Sequence, residues 1–474
     1  MSSTLDRLRR LHGVRTQTTR TELELPAQRS LLDKRDPHDI NIRQNLSGHT
    51  IDHPDDDGPV RLEDLVPGEV IENEGGTCYV LTHTLPLETR HGPQSLGTLL
   101  SHQPGIFHSL YPDFNLMQDE QFWQAAFIDT ETTGLGGGAG IYCFMVGIGT
   151  FENIRTQNST LSSPPTHFVV RQLFMRNMGE EAALLVELAK ILTRCTMTVT
   201  FNGRTFDLPL LRTRLRQCVR LHLGVEPEAP LLDEGQPHLD LLHPARRLWK
   251  RRLQSCRLIN LERRVLGLER SEEDVPGHLI PFLYANYARS GDARQMPNIF
   301  YHNREDIVSM VSVAERLSHA FGIMHRDVGV DIGSELSGLD WLSLGCCYDA
   351  SEEWEWAEKA LCQALTLIGQ EQPGSDAHAE AFRRLGQLQK RQERWQEATE
   401  TWQLWLSSVT GVDPTPYIEL AKYCEWQLKD LEQASMWAGW ALHNMTSAPA
   451  WQRAASQIAE LEHRVARLER KKKG

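Results

Sequence analysis

The sequence predicts an α/β domain on a mixed five-stranded sheet, its first three strands antiparallel and flanked by helices, followed by an all-α domain of helical repeats. Three observations carry that expectation. Three apolar, strand-like segments follow one another closely between residues 122 and 175. Helix and strand patterns then alternate as far as residue 242. Beyond residue 335 the strand signals stop, and small and aromatic residues recur at helical spacing.

Residues 1–60 are polar and charged and end in Asp55-Asp56-Asp57-Gly58-Pro59. They read as a flexible extension with a short helix over Leu5, Leu8 and Leu11. Residues 61–119 read as a small structured lead-in, with a strand over Cys78–Leu87. The α/β domain is expected over 120–325. Its meander is FWQAAFIDT from Phe122, IYCFMVGIGTF from Ile141 and HFVVRQLFM from His167. Gly134–Gly140 is the first turn; it lacks the Gly-Lys-Ser/Thr of a phosphate loop. A helix follows, with Leu184, Leu188, Ile191 and Leu192 on one face, then the strand Met197–Asn202. A second helix starts at about Asp207, PHLDLL from Pro237 is the fifth strand, and the remainder to Leu317 reads as helices.

Composition is that of an ordinary globular chain, 40% hydrophobic and 24% charged. No run reaches the roughly 20 apolar residues of a membrane span, and the N-terminus has no apolar leader, so a cytoplasmic protein without a membrane partner is expected. The nine cysteines are scattered and form no C-x-x-C pair, which argues against a zinc ribbon or redox motif. A net charge of −13 argues against a nucleic-acid partner, but the positive charge is uneven. Residues 241–264 carry eight Arg and Lys against the single acid Glu262. Within that stretch Arg246, Arg247, Lys250, Arg251, Arg252 and Arg257 are candidate phosphate contacts, weighed against a merely solvated face.

The chemistry is carried by acids. Asp129 and Glu131 sit two apart at the end of an apolar strand, so they point to one side of it. Buried carboxylates that close repel each other unless a cation intervenes. Asp207 again follows a strand and turn, in Phe201-Asn-Gly-Arg-Thr-Phe-Asp207. Asp306 lies near the start of a helix striped by Ile307, Met310, Val311 and Ala314. Oxygen ligands in this number suit two Mg²⁺ or Mn²⁺ ions. Such a pair activates water and stabilises the leaving oxygen in phosphodiester hydrolysis.

Asp129-Thr-Glu-Thr-Thr-Gly-Leu, Phe201-Asn-Gly-x-x-Phe-Asp207 and His302-Asn-x-x-Asp306 resemble the three motifs of the DEDD exonuclease superfamily. Pro244-Ala-Arg-Arg-Leu-Trp and Pro276-Gly-x-Leu-Ile-Pro281 extend the likeness to the bacterial YprB-type ribonuclease-H-like family, across residues 120–320. The resemblance implies a ribonuclease-H-like fold with Asp129, Glu131, Asp207 and Asp306 as metal ligands, Asp129 shared by both ions. It also implies 3′–5′ exonuclease activity on single-stranded DNA or RNA. The family orients its water with Tyr four residues, or His five residues, before the last Asp. Here His302 is at minus four and Tyr301 at minus five, a departure from both patterns. His302 is preferred as the catalytic base, with Tyr301 the alternative. Asn202 and Arg204, on the turn before Asp207, are candidate contacts to the terminal nucleotide.

Residues 335–447 resemble tetratricopeptide repeats. Trp341-x-x-Leu-Gly345-x-x-Tyr348, Phe382-x-x-Leu-Gly386 and Tyr417-x-x-Leu-Ala421 recur, each followed by small residues. Such repeats imply a protein partner. Residues 448–474 read as a helix on Ile458, Leu461, Val465 and Leu468, ending in a basic tail. A structure-specific endonuclease, a non-catalytic adaptor that binds nucleic acid, and a mononucleotide hydrolase on the same acids remain open alternatives.

Overall fold

The computed structural model describes residues 58–134, 140–154, 164–222, 228–323, 336–449, 451 and 453–473. The expected N-terminal extension with its helix, and most of the Gly134–Gly140 turn, lie outside these residues. The described strands are β1 (Glu69–Asn73), β2 (Gly76–Pro86), β3 (Ala125–Thr132), β4 (Cys143–Glu152), β5 (His167–Phe174), β6 (Met197–Thr200) and β7 (His238–Asp240). They form one mixed sheet in the order β1-β2-β5-β4-β3-β6-β7. The central meander β3-β4-β5 is antiparallel, while β6 and β7 join β3 in parallel.

The sheet has seven strands, which corrects the expected five. The extra two are the hairpin β1-β2, in which β2 pairs antiparallel with β5 from Tyr79–Phe174 to Pro86–His167. Without that hairpin, the open edge of β5 would present a row of unpaired backbone groups. The lead-in is therefore part of the sheet.

Helices α1 (Leu62–Leu65), α2 (Glu181–Leu192), α3 (Asp207–His222), α4 (Leu242–Trp249), α5 (Leu258–Leu261), α6 (Ile280–Ser290) and α7 (Met296–Gly322) surround the sheet. Alternation along each strand splits its apolar residues between two cores. Ala126 and Ile128 of β3 face the core shared with Leu184 and Leu188 of α2. Phe127 faces the core shared with Ile307, Met310 and Val311 of α7. That second core does not end with the sheet. It continues through Leu317 and Phe321 to Trp341, Leu344, Leu361 and Leu388.

These last residues belong to a helical region of α8 (Gly338–Ala350), α9 (Trp354–Glu371), α10 (Asp376–Arg391), α11 (Trp395–Ser408), α12 (Thr415–Tyr423), α13 (Leu431–Ser447) and α14 (Ala455–Lys473). Each helix packs on the next. At Gly386 a Cβ would overlap the Trp402 indole, so glycine is what lets α10 and α11 approach closely. Leu461 and Leu468 of α14 are buried against this region, as the stripe predicted. Among the described residues no helix is long and apolar enough to cross a membrane.

Candidate active site

Strand parity sets the site. Asp129 and Glu131 follow Phe127 at two-residue steps, so they share its side of the sheet, which α7 covers. Residues Asp129, Gly147 and Gln172 lie in one row across β3, β4 and β5. Asn303, fully buried in the third turn of α7, spans that row. Its Oδ1 accepts from Gln172 Nε2 at 3.1 Å and its Nδ2 donates to Asp129 Oδ2 at 2.9 Å. The amide fits only because residue 147 is glycine; a Cβ there would collide with it. Asp207 opens α3 and is tied to β3 by Thr130, whose hydroxyl donates to Asp207 Oδ1 at 2.5 Å.

The loop that presents Asp207 is held by an acid that sequence reasoning missed. Asp240, fully buried at the end of β7, accepts backbone N–H groups of Asn202 at 2.8 Å, Arg204 at 3.1 Å and Leu242 at 3.1 Å. Asn202 is left-handed, with φ 70°, which suits an Asn on a tight turn. Arg204 lies over the Phe114 ring, 5.5 Å from its centroid. Phe206, directly before Asp207, is 57% exposed.

A second missed residue is Arg270. Its side chain is 7% exposed and forks onto Glu262, 2.5 and 2.8 Å from the two carboxylate oxygens. The same guanidinium meets Asp306 Oδ1 and reaches Asp274 at 3.5 Å. His302 completes the knot, with Nδ1 2.7 Å from Asp274 Oδ1 and Nε2 3.7 Å from Asp306 Oδ2. Tyr301 turns elsewhere: its hydroxyl accepts the Ser271 N–H at 3.0 Å and its ring lies under Arg304. Of the two water-orienting candidates, the structure thus places His302 beside the last Asp.

The electrostatics are those of acids gathered in a shielded place. Burial, then the charges of Asp306, Glu131 and Asp207, hold the Asp129 carboxyl well above its ordinary range. Glu131 is pushed up to about 8, first by burial and then by Asp306 and Asp207, against relief from His302 and Arg270. Asp207 rises to about 6 through burial, despite its bond from Thr130. Burial alone would lower the His302 imidazole, but Asp274, Asp306 and Glu131 outweigh it and raise it to about 9. The motif implied an ordinary imidazole, and these neighbouring acids raise it.

Such a donor set fits hard divalent cations. It offers carboxylate oxygens from β3, α3 and α7, and a cation would offset the mutual repulsion. The acids do not form a tight cage. Among the described residues, groups whose ligand atoms all lie within 4.8 Å of one another do not include three of these four.

The basic stretch is partly spent inside the protein. Arg251 pairs with Glu380 at 3.0 Å and Arg252 with Asp340 at 3.1 Å, both on the helical region. Arg247 lies over the Tyr111 ring. Arg246, Lys250 and Arg257 stand exposed on the surface. The segment therefore serves as a joint between sheet and helical region as well as a positive surface.

Fold and site together define an α/β protein of the ribonuclease-H class, with acids collected where β3, α3 and α7 meet. Residues 126–318 match the RNase H superfamily model. Over 405 residues the chain is 30% identical to "Uncharacterized protein YprB" of Bacillus subtilis (strain 168), covering 83% of this chain and 86% of that protein. The chain belongs to the YprB family, and its superfamily points to a nucleic-acid hydrolase.

The Asn303 bridge yields a prediction. Gly147→Ala is expected to push the Asn303 amide off Asp129 and to weaken Mn²⁺ binding by roughly 10- to 100-fold, the range for loss of a group that orients a ligand. Isothermal titration of the variant beside Asn303→Ala checks this. Unchanged affinity in both would show that the bridge orients nothing.

Proposed function

We propose that this protein is a metal-dependent nuclease that removes nucleotides 3′ to 5′ from single-stranded DNA or RNA. The observation that carries the reading is the gathering of Asp129, Glu131, Asp207 and Asp306 from three distant elements, with burial and like charge driving three of them upward in pKa. Two Mg²⁺ or Mn²⁺ ions held by these acids would activate a water and stabilise the leaving 3′ oxygen.

The chain's own groups supply the rest. Asn303 and Thr130 fix Asp129 and Asp207, so the ligands need little rearrangement. His302, beside Asp306, orients the attacking water. Phe206 offers an exposed aromatic face next to Asp207 on which a terminal base can stack. Asn202 and Arg204 flank it on the same turn. Exposed Arg246, Lys250 and Arg257 add phosphate contacts at the joint, where the sheet meets the helical region. That region is a tetratricopeptide-like scaffold that receives a protein partner and brings the site to its substrate.

The test is degradation of 5′-labelled single-stranded DNA and RNA with Mg²⁺ or Mn²⁺, run beside circular forms of each. Stepwise shortening of linear strands, with circles intact, is the expected result. Cut circles would replace this reading with an endonuclease. No cleavage of either nucleic acid with either ion, but retained binding, would replace it with an adaptor.

A further inference from the structure

Helix α7 carries a second cluster, well away from the four acids. Glu315 and His319 are one turn apart and share a face of the helix. His102 ends the 3₁₀ turn Leu96–Ser101, which packs on that helix. Ligand atoms of these three residues all lie within 4.8 Å of one another. His102 Nε2 stands 3.7 Å from Glu315 Oε1, and the two imidazole rings meet edge-on. Glu315 is only 3% exposed, and its Oε2 is buried without a hydrogen-bond partner. A carboxylate oxygen held so is costly unless something positive meets it.

We propose that His102, Glu315 and His319 bind a transition-metal dication of the zinc class, at a site separate from the acids of the nuclease centre. Two imidazoles and one carboxylate make a borderline donor set, which favours Zn²⁺ over Mg²⁺. Tetrahedral ligands at ~2.0–2.1 Å from an ion sit roughly 3.3 Å apart, so side chains already this close need only a small closing movement. A cleft of about 580 Å³, lined by His102, His108, Glu353 and Gly322, lies on the His102 side of the cluster.

The place in the helix favours a cation as well. His319 lies in the last turn of α7, where the helix dipole is negative. At 1.5 Å per residue, Glu315 lies about 14 Å along the axis from Asp306, too far to share an ion with it. An ion here clasps the lead-in segment to the helix whose other end presents His302, Asn303 and Asp306. It stabilises the site without entering the reaction.

The full chain, stripped by a chelator and reloaded with Zn²⁺ in excess Mg²⁺, tests this. Wild type and Asp129→Asn should each retain Zn²⁺ after desalting. Glu315→Gln and His319→Gln should lose it, with affinity falling beyond the ~10- to 100-fold that loss of a merely supporting group gives. Co²⁺ loaded instead should show a low-coordinate visible spectrum in the first pair and not in the second. Glu315→Gln is close to isosteric, so it carries the comparison if His319→Gln fails to fold by circular dichroism. Zn²⁺ retained equally by the Glu315 and His319 variants, or lost in Asp129→Asn, or never retained by wild type, overturns the proposal. The cluster would then be a buried ion pair.

Discussion

Asp129→Asn is expected to abolish metal-dependent cleavage while leaving the fold intact. The change is nearly isosteric, and the Asn303 amide can still reach the remaining oxygen. What disappears is the charge proposed to hold a cation against the scissile phosphate. Such charge stabilisation is worth several kcal/mol. At about 1.4 kcal/mol per tenfold, the rate should fall on the order of 10³-fold or more. The same substitution should raise the melting temperature of the metal-free protein. Burial, then the charges of Asp306, Glu131 and Asp207, raise the Asp129 carboxyl in the folded state, so the acid costs stability above its ordinary pKa and an amide carries no such cost. Lost cleavage with a higher melting point is the signature of a site built for ions at the expense of stability. Rapid cleavage by Asp129→Asn would sink the assignment, and lost cleavage with a lower melting point would mean that the charge also supports the fold.

The acids of this site were legible because they break a local rule. Asp129 and Glu131 close a strand that opens Ala-Ala-Phe-Ile, and Asp207 opens a helix, whereas Asp306, expected near a helix start, lies about three turns into α7, which begins at Met296. The central strands were legible for the related reason that buried strands are continuous apolar runs. Strand β1 gave no such signal. Its sequence is Glu-Val-Ile-Glu-Asn and its residues are exposed or half-buried, as an edge strand requires. Hence the sheet was read two strands too narrow, although Cys78–Leu87 was seen as a strand. Asp240 was hidden for want of contrast, since it reads as one polar residue in a short strand until the loop of Asn202 folds onto it. The basic run shows the opposite error. Charge density there was plain, but Glu380 and Asp340, more than 80 residues away in sequence, claim two of its arginines. Glu315 and His319 were one helical turn apart from the start, yet His102 comes from a segment with no pattern of its own.

Arg270 is the least legible of the functional groups, and its removal should have the second largest effect. It sits in Glu-Arg-Ser-Glu-Glu-Asp, which reads as solvated surface, but the fold buries it between Glu262 and Asp306. Arg270→Met is expected to cost about 3–5 kcal/mol of stability, because Glu262, with 2% of its side chain exposed, is left as an unpaired buried charge. Urea unfolding measures that loss. Cleavage should fall as well, by about 10- to 100-fold, since Asp306 and His302 lose the guanidinium that positions them. The two effects separate in Arg270→Met/Glu262→Met. Replacing a buried pair by apolar groups of similar size is often neutral for stability. The double variant should therefore regain its unfolding midpoint and stay slow, with the deficit in kcat rather than in substrate KM. If its activity returns with its stability, Arg270 only neutralises Glu262, and Asp306 is set by α7 alone. Should the rate stay low, the chain has placed a permanent cation on one flank of its acids. That cation aims Asp306, and it compensates charge on the flank where His302 stands.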